Sequence, residues 1–155
     1  RLIVPFYYEK RIVGWTARTI TADKKPKYLM EVQPGFVYGL DKQTYDKQFA
    51  ILCEGQVDAL HIDGCALGGS EINDAQAMLM NKLGKDIVVV PDRDPAGSKL
   101  VERAIELGWQ VSLPEWSQDI NDVGDAVDRR RTRLFTNDYL GNKCKQSRCS
   151  IGCIY

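Results

Sequence analysis

The chain has 155 residues, 44% of them hydrophobic and 27% charged. That is enough for one modest core with a small appended lobe, and it excludes intrinsic disorder and collagen-like order. No run of about 18 apolar residues is present, and Arg1-Leu-Ile-Val-Pro-Phe6 lacks the shape of a signal peptide, so a soluble, cytoplasmic protein without membrane contact is expected. The formal charge of zero averages three unlike regions. Residues 1–31 carry seven Lys/Arg against three Asp/Glu, residues 32–128 seven against seventeen, and residues 129–155 seven against Asp138 alone. An acidic middle between basic ends suits a protein that gathers cations centrally and holds a polyanion beside them. Cys53, Cys65, Cys144, Cys149 and Cys153 form an odd, unevenly spaced set, which points to reduced thiols rather than a disulfide framework. The chain opens in a strand-like run without a methionine, so a piece of a longer protein is expected.

Leu2-Ile-Val4 and Arg11 to Arg18, separated by Glu9-Lys10, predict a β-hairpin. Pro26, Pro34 and Gly35 then break regular structure, and a linker is expected near 41–48. From Phe49 the pattern becomes short apolar strands alternating with helical periodicity. Strands are predicted at Phe49–Cys53, Cys65–Leu67, Ile87–Val90 and Trp109–Leu113, with helices near Val57–Ile62, Asn73–Leu83 and Ala96–Leu107. Such alternation implies a mostly parallel sheet covered by helices. Three segments are expected: a small antiparallel lobe over 1–47, an α/β domain over 48–128, and a basic tail without clear period over 129–155.

In open parallel sheets functional groups gather past the carboxyl ends of the strands, and in this chain those positions are acidic. Glu54 follows the first α/β strand with Asp58 four residues on, Asp92-Arg93-Asp94 follows the third, and Asp119, Asn121 and Asp122 follow the fourth. Converging carboxylates raise one another's pKa unless a cation lies among them. Mg²⁺ resolves the conflict, being held by one or two carboxylates together with substrate phosphates, and such a site suits phosphoryl transfer. Taken singly, each acid has a structural explanation. Asp94 before Pro95 is a helix N-cap with proline at the first helical position; Glu54 before Gly55 can simply end a strand; Asp58 fits a solvated helix face; and Asp119, Asp122, Asp125 and Asp128 fit one acidic helix surface.

The ordered pair Cys53-Glu-Gly-Gln-Val-Asp58 and Val90-Pro-Asp-Arg-Asp-Pro-Ala-Gly97 resembles the glutamate and Asp-x-Asp motifs of the Toprim domain. Asp119-Ile-Asn-Asp122 looks like the acidic segment that follows the last core strand in DnaG-type primases. Upstream, Arg1-Leu-Ile-Val-Pro-Phe6, Val13-Gly-Trp-Thr-Ala-Arg18, Pro26-Lys-Tyr-Leu29 and Val37-Tyr-Gly-Leu40 are similar, in that order, to the basic segment preceding Toprim in those enzymes. The resemblance covers about residues 1–127. It implies a Toprim α/β fold preceded by a small antiparallel β lobe, and the catalytic core of a primase making short RNA primers on single-stranded DNA.

Carried over by position, the resemblance makes Glu54 the acid nearest the chemistry and Asp92 and Asp94 the holders of Mg²⁺, for which Mn²⁺ can substitute. Asp58 and Asp119 complete the acidic cluster, and Arg18 and Lys27 hold template or nucleotide phosphates, contacts that give affinity without reading sequence. It further implies ribonucleoside triphosphates as substrates, a replicative helicase as partner, and a bacterial or phage-infected cytoplasm as location. Three features depart from the family pattern. A lysine common before Tyr-Gly-Leu has no counterpart around Pro34-Gly35-Phe36, Asn121 stands where a second aspartate is frequent, and the zinc-binding module that usually precedes the core, the expected place for zinc, is not among these 155 residues. Cys144-x₄-Cys149-x₃-Cys153 lacks a fourth ligand and lies at the wrong end to replace it.

Other readings fit less well. Toprim nucleases and topoisomerases share the metal site, but the lobe before Glu54 resembles primases. A receiver domain wants an acidic pair after its first strand, a haloacid-dehalogenase-like phosphatase wants Thr or Val two residues past its Asp-x-Asp, and a dinucleotide binder wants Gly-x-Gly-x-x-Gly. Retention of Glu54, Asp92 and Asp94 together counts against a non-catalytic nucleic-acid-binding remnant. Trp15, Trp109, Trp116 and His61 are assigned no catalytic role.

Overall fold

A computed structural model describes residues 1–130, with side chains through Asp128. The chain begins with a hairpin of β1 (Leu2–Tyr8) and β2 (Arg11–Arg18). Glu9 and Lys10 turn it at φ 48° and 65°, the left-handed pair whose twist matches the flanking strands. Phe6 pairs with Gly14 but Tyr7 with Ile12, so Val13 bulges from the ladder. A third strand, β3 (Tyr28–Val32), lies antiparallel on β2. It was not expected as a separate strand: prolines bracket it and nearly all its side chains are exposed, so it lacks the half-buried alternation that marks a strand in sequence.

Register fixes which residues of this sheet share a face. Thr16 lies opposite both Val4 and Met30, and Arg18 opposite Tyr28. With side chains alternating along each strand, Val4, Phe6, Thr16, Arg18, Tyr28 and Met30 fall on one face. Val4 and Phe6 bury that face against Tyr38, Ala59 and Ala66, which turns Arg18 and Tyr28 toward the rest of the molecule. The connector is held there as well: Tyr38 and Ala66 exchange both backbone hydrogen bonds, at 2.8 and 3.1 Å. The segment expected as a linker contains one 3₁₀ turn at Leu40–Lys42.

The second unit is a four-stranded, wholly parallel sheet in the order β5-β4-β6-β7. Its elements are β4 (Phe49–Cys53), α1 (Gln56–His61), β5 (Cys65–Ala66), α2 (Asp74–Asn81), β6 (Asp86–Val89), α3 (Pro95–Glu106), β7 (Gln110–Val111) and α4 (Val123–Arg130). Successive residues of the central strands feed opposite cores. Leu52 and Val89 pack with Met80 and Leu100, while Cys53 and Val90 pack with Trp116, Ile120 and Val123. Both faces are therefore covered, as the continuous apolar strands require.

The α/β alternation stands where the sequence places it, with boundaries shifted by a residue or two. The fourth strand shrinks to two residues, and the acidic segment after it leads into α4, which carries Asp125 and Asp128. Among the described residues no helix is long and apolar enough to cross a membrane. The tail expected over 129–155 lies, apart from the backbone of Arg129 and Arg130, outside the described residues.

Candidate active site

The acids past the strand ends are held by backbone amides. Glu54 ends β4 and accepts a hydrogen bond from the Asp92 N–H at 3.3 Å, tying the first acidic loop to the third. Asp58, in the first turn of α1, accepts the Gly124 N–H at 2.9 Å, tying α1 to the start of α4. A Cβ on Gly124 would come within 2.7 Å of that carboxylate oxygen, so glycine there lets the backbone approach the acid. Asp122 accepts the Asp125 N–H at 2.7 Å and thereby opens the α4 turn.

Glu54, Asp58, Asp92 and Asp122 line one wall of a cavity of about 310 Å³, and Thr16, Arg18, Tyr28 and Met30 from the antiparallel sheet, with Lys27 just before β3, line the other. Gly68, Gly69 and Ser70 form part of its rim. Tyr28 stands between the two expected cations, its ring centroid 5.8 Å from the Arg18 guanidinium carbon and 5.6 Å from Lys27 Nζ. Cation–π attraction of this kind holds long charged side chains over the ring while their heads stay wet.

The acidic wall is electrostatically loaded. Asp92 is pushed up to about 8, first by burial and then by the negative charges of Glu54, Asp58, Asp122 and Asp94. Burial likewise raises Glu54, against the pull of the Asp92 amide and with Asp94 and Asp58 adding to it. Asp58 rises through burial and Asp122, opposed by the Gly124 amide. Such a wall either takes up protons or accepts a cation. Its donors are all carboxylate oxygens, the chemistry of a hard divalent ion. Among the described residues no group of three or more His, Cys, Asp or Glu side chains is arranged to hold a metal ion by itself.

Of the seven expected residues, the cavity brings together five: Arg18, Lys27, Glu54, Asp58 and Asp92. Asp94 lines a neighbouring cavity and caps α3, its Oδ1 accepting the Gly97 N–H at 2.8 Å. Asp119 is exposed and lines neither. Asp122, from the same loop, lines the cavity, and Tyr28 joins the basic wall. Strand alternation from Arg18 across to Tyr28 would have found the tyrosine, whereas nothing in the aperiodic 112–122 stretch tells which aspartate turns inward. Arg93, between the two aspartates, was assigned no role. Its Nη1 donates to the carbonyls of Ser117 and Ile120 at 3.1 and 3.4 Å, and its backbone N–H to Asn121 at 2.7 Å. One residue thus fastens the loop that delivers Asp122.

A family model described as Toprim-like matches residues 51–128. The DNA primase of Aquifex aeolicus (strain VF5) is 31% identical over 123 residues, covering 69% of this chain and 25% of that protein. Among solved structures, the zinc-binding and RNA polymerase domains of the Aquifex aeolicus primase superpose with a TM-score of 0.74 at 26% identity, covering 91% of this chain and 40% of that one. A DnaG primase catalytic domain bound to single-stranded DNA shares the fold, with a TM-score of 0.71 at 16% identity over 90% of this chain and 50% of that one. The chain spans a quarter of the curated relative and two fifths of the first solved one. It belongs to the Toprim-like family and is homologous, over its Toprim region, to DnaG-type DNA primases.

Proposed function

We propose that the chain is catalytic-core material of a DNA primase, which extends RNA primers on single-stranded DNA by nucleotidyl transfer. The observation that carries this reading is the two-walled cavity, with Arg18 and Lys27 facing Glu54, Asp58 and Asp92. A triphosphate needs cations for its outer oxygens and metal-supporting carboxylates beside the reacting phosphorus, and the cavity supplies both from opposite sides.

In this reading Arg18 and Lys27 bind phosphates of the incoming ribonucleotide or of the template backbone. One or two of Glu54, Asp92 and Asp58, with Asp122 beside them, would hold Mg²⁺ or Mn²⁺ together with substrate phosphates, and Asp94 and Asp119 would contribute from outside the cavity. When bound, the ion supplies charge neutralisation at the α-phosphate and the leaving pyrophosphate. A template-paired 3′-hydroxyl attacks the α-phosphorus, the new P–O bond forms, the α–β bond breaks, and pyrophosphate leaves. In this reading Glu54, half-buried, is the acid nearest the reacting groups. The structural relative solved with single-stranded DNA supports a template of that class. Ribonucleoside triphosphates, a replicative helicase, and work in a bacterial or phage-infected cytoplasm complete what the reading implies, with residues 1–47 and 48–128 as its basic and catalytic parts.

The test is calorimetric titration of ATP into the chain with and without Mn²⁺. Cation-dependent binding that disappears in Asp92→Asn and weakens in Arg18→Ala is the expected result. Binding indifferent to the cation and to both substitutions would sink the reading. Cation-dependent cutting of single-stranded DNA in the same samples would favour the nuclease alternative.

A further inference from the structure

Among the residues that line the cavity between the acidic and basic walls there is one carboxamide, Gln56. It opens α1, two residues past Glu54, and is 5% exposed. A buried amide ordinarily finds oxygen partners, yet Gln56 Nε2 donates to Met30 Sδ on β3 at 3.7 Å, and a thioether sulfur is a weak acceptor. Thr16, a neutral group on the same lining, is committed elsewhere, its hydroxyl donating to the Leu29 carbonyl at 3.2 Å. Gly68 makes room for the amide: at φ 77° a Cβ there would stand 2.5 Å from Nε2 and 3.1 Å from Sδ. The Gly68 N–H donates to the Glu54 carbonyl at 3.0 Å, which ties that turn to the end of β4. The amide is thus held beside Glu54 with a partner that a better one can displace.

We infer that Gln56 is the residue with which this cavity recognises the 2′-hydroxyl of the incoming ribonucleotide. The inference rests on the primase reading and adds to it the group that selects the sugar. Arg18 and Lys27 answer to phosphate charge and the carboxylates to a cation, and neither set separates a ribonucleotide from its deoxy form, because the two carry the same charge. A 2′-hydroxyl is both donor and acceptor, and so is a carboxamide: the Nε2–H donates to the hydroxyl oxygen and Oε1 accepts from the hydroxyl. Position agrees with this pairing. Met30 follows Tyr28 by two residues on β3, one strand period along the same face and roughly 7 Å away, which is of the order of the step from a nucleotide's phosphate to its ribose. The sulfur contact also limits the selectivity. A deoxyribonucleotide leaves the amide on Met30 rather than wholly unpaired, so the expected discrimination is about ten- to a hundredfold, not the four or five decades of a site without an alternative partner.

The test is Mn²⁺-dependent binding of ATP, dATP, GTP and dGTP, followed by equilibrium dialysis against the wild type, Gln56→Met and Gln56→Leu. Both substitutions keep about the volume of glutamine while removing the amide, and unfolding midpoints verify the fold. The wild type is expected to prefer ATP to dATP, and GTP to dGTP, by about tenfold or more. In both variants the ribonucleotides should weaken to the level of the deoxyribonucleotides, which lack the hydroxyl and should lose nothing. Equal binding of ribo and deoxy forms by the wild type overturns the inference, whether or not the variants fold. Losses shared alike by ATP and dATP make Gln56 a support of the fold and overturn it as well. So does a loss that follows adenine or guanine rather than the sugar, which assigns the amide to the base. Absence of Mn²⁺-dependent binding of all four nucleotides by the wild type contradicts the primase reading itself, whereas binding of all four without regard to the sugar leaves that reading intact and removes only the role of Gln56.

Discussion

The two walls of the cavity are built by opposite means. The acids are short side chains pinned by backbone: Glu54 by the Asp92 amide and Asp58 by the Gly124 amide, above a core of Cys53, Val90, Ile120 and Val123. Arg18 ends β2 and Lys27 immediately precedes β3, both are long side chains, and the contacts that gather them are to one ring, Tyr28. Each wall is suited to a different task. Charges that must crowd together need rigid placement, because repulsion among them disperses whatever is free to move. Charges that track a polyanion gain from reach and from an inexpensive, sliding contact.

Breaking the rigid wall should cost most. Ile120 is 1% exposed beneath the Asp122 loop, and Ile120→Ala should destabilise the fold by about 2–5 kcal/mol in urea unfolding, with loss of cation affinity. Arg93→Ala, which frees the same loop without hollowing the core, should lower Mn²⁺ affinity by about 10–100-fold, and Arg93→Lys should recover part of it. A loss of stability equal to that of Ile120→Ala would mean that Arg93 supports the fold rather than the site. The basic wall should respond differently. Arg18→Ala should reduce the salt dependence of single-stranded DNA binding by about one phosphate contact while leaving the unfolding midpoint in place.

Asp94 offers a finer separation, because it caps α3 in addition to its proposed role. Asp94→Ala should cost about 1 kcal/mol and Asp94→Asn, an equally good cap, only a few tenths, so that cation affinity lost in both variants reports on the site and not on the helix. The smallest effect is a drift with pH. Folding raises Asp92 from the ordinary carboxylate range to about 8, so the native chain binds the extra proton and its stabilising contribution is complete only at low pH. Without divalent cations, thermal stability should therefore fall as pH climbs from about 4 through 8. Asp92→Asn should flatten that decline.

Much of the fold and of the acidic wall is legible in the sequence, and the exceptions have physical causes. Phe49–Cys53 and Ile87–Val90 are continuous apolar runs, which only a strand buried on both faces accommodates, and they placed Glu54 and Asp92 at one sheet edge. Asp94 followed by Pro95 carried two valid readings, and the Gly97 hydrogen bond realises the capping one without excluding the other. The choice between Asp119 and Asp122 depends on the turn after β7, which is set by Arg93 reaching carbonyls 24 and 27 residues away, and no local pattern encodes such a contact. β3 escaped because exposed strands in a small lobe look like loop in sequence.

If the crowded carboxylates form a divalent-cation site, calorimetric titration of Mn²⁺ will show it. Saturable heats in the wild type that vanish in a well-folded Asp92→Asn/Asp94→Asn variant are the predicted result. Equal heats in the two proteins, or none in either, would contradict the account and leave the acidic edge without a catalytic role.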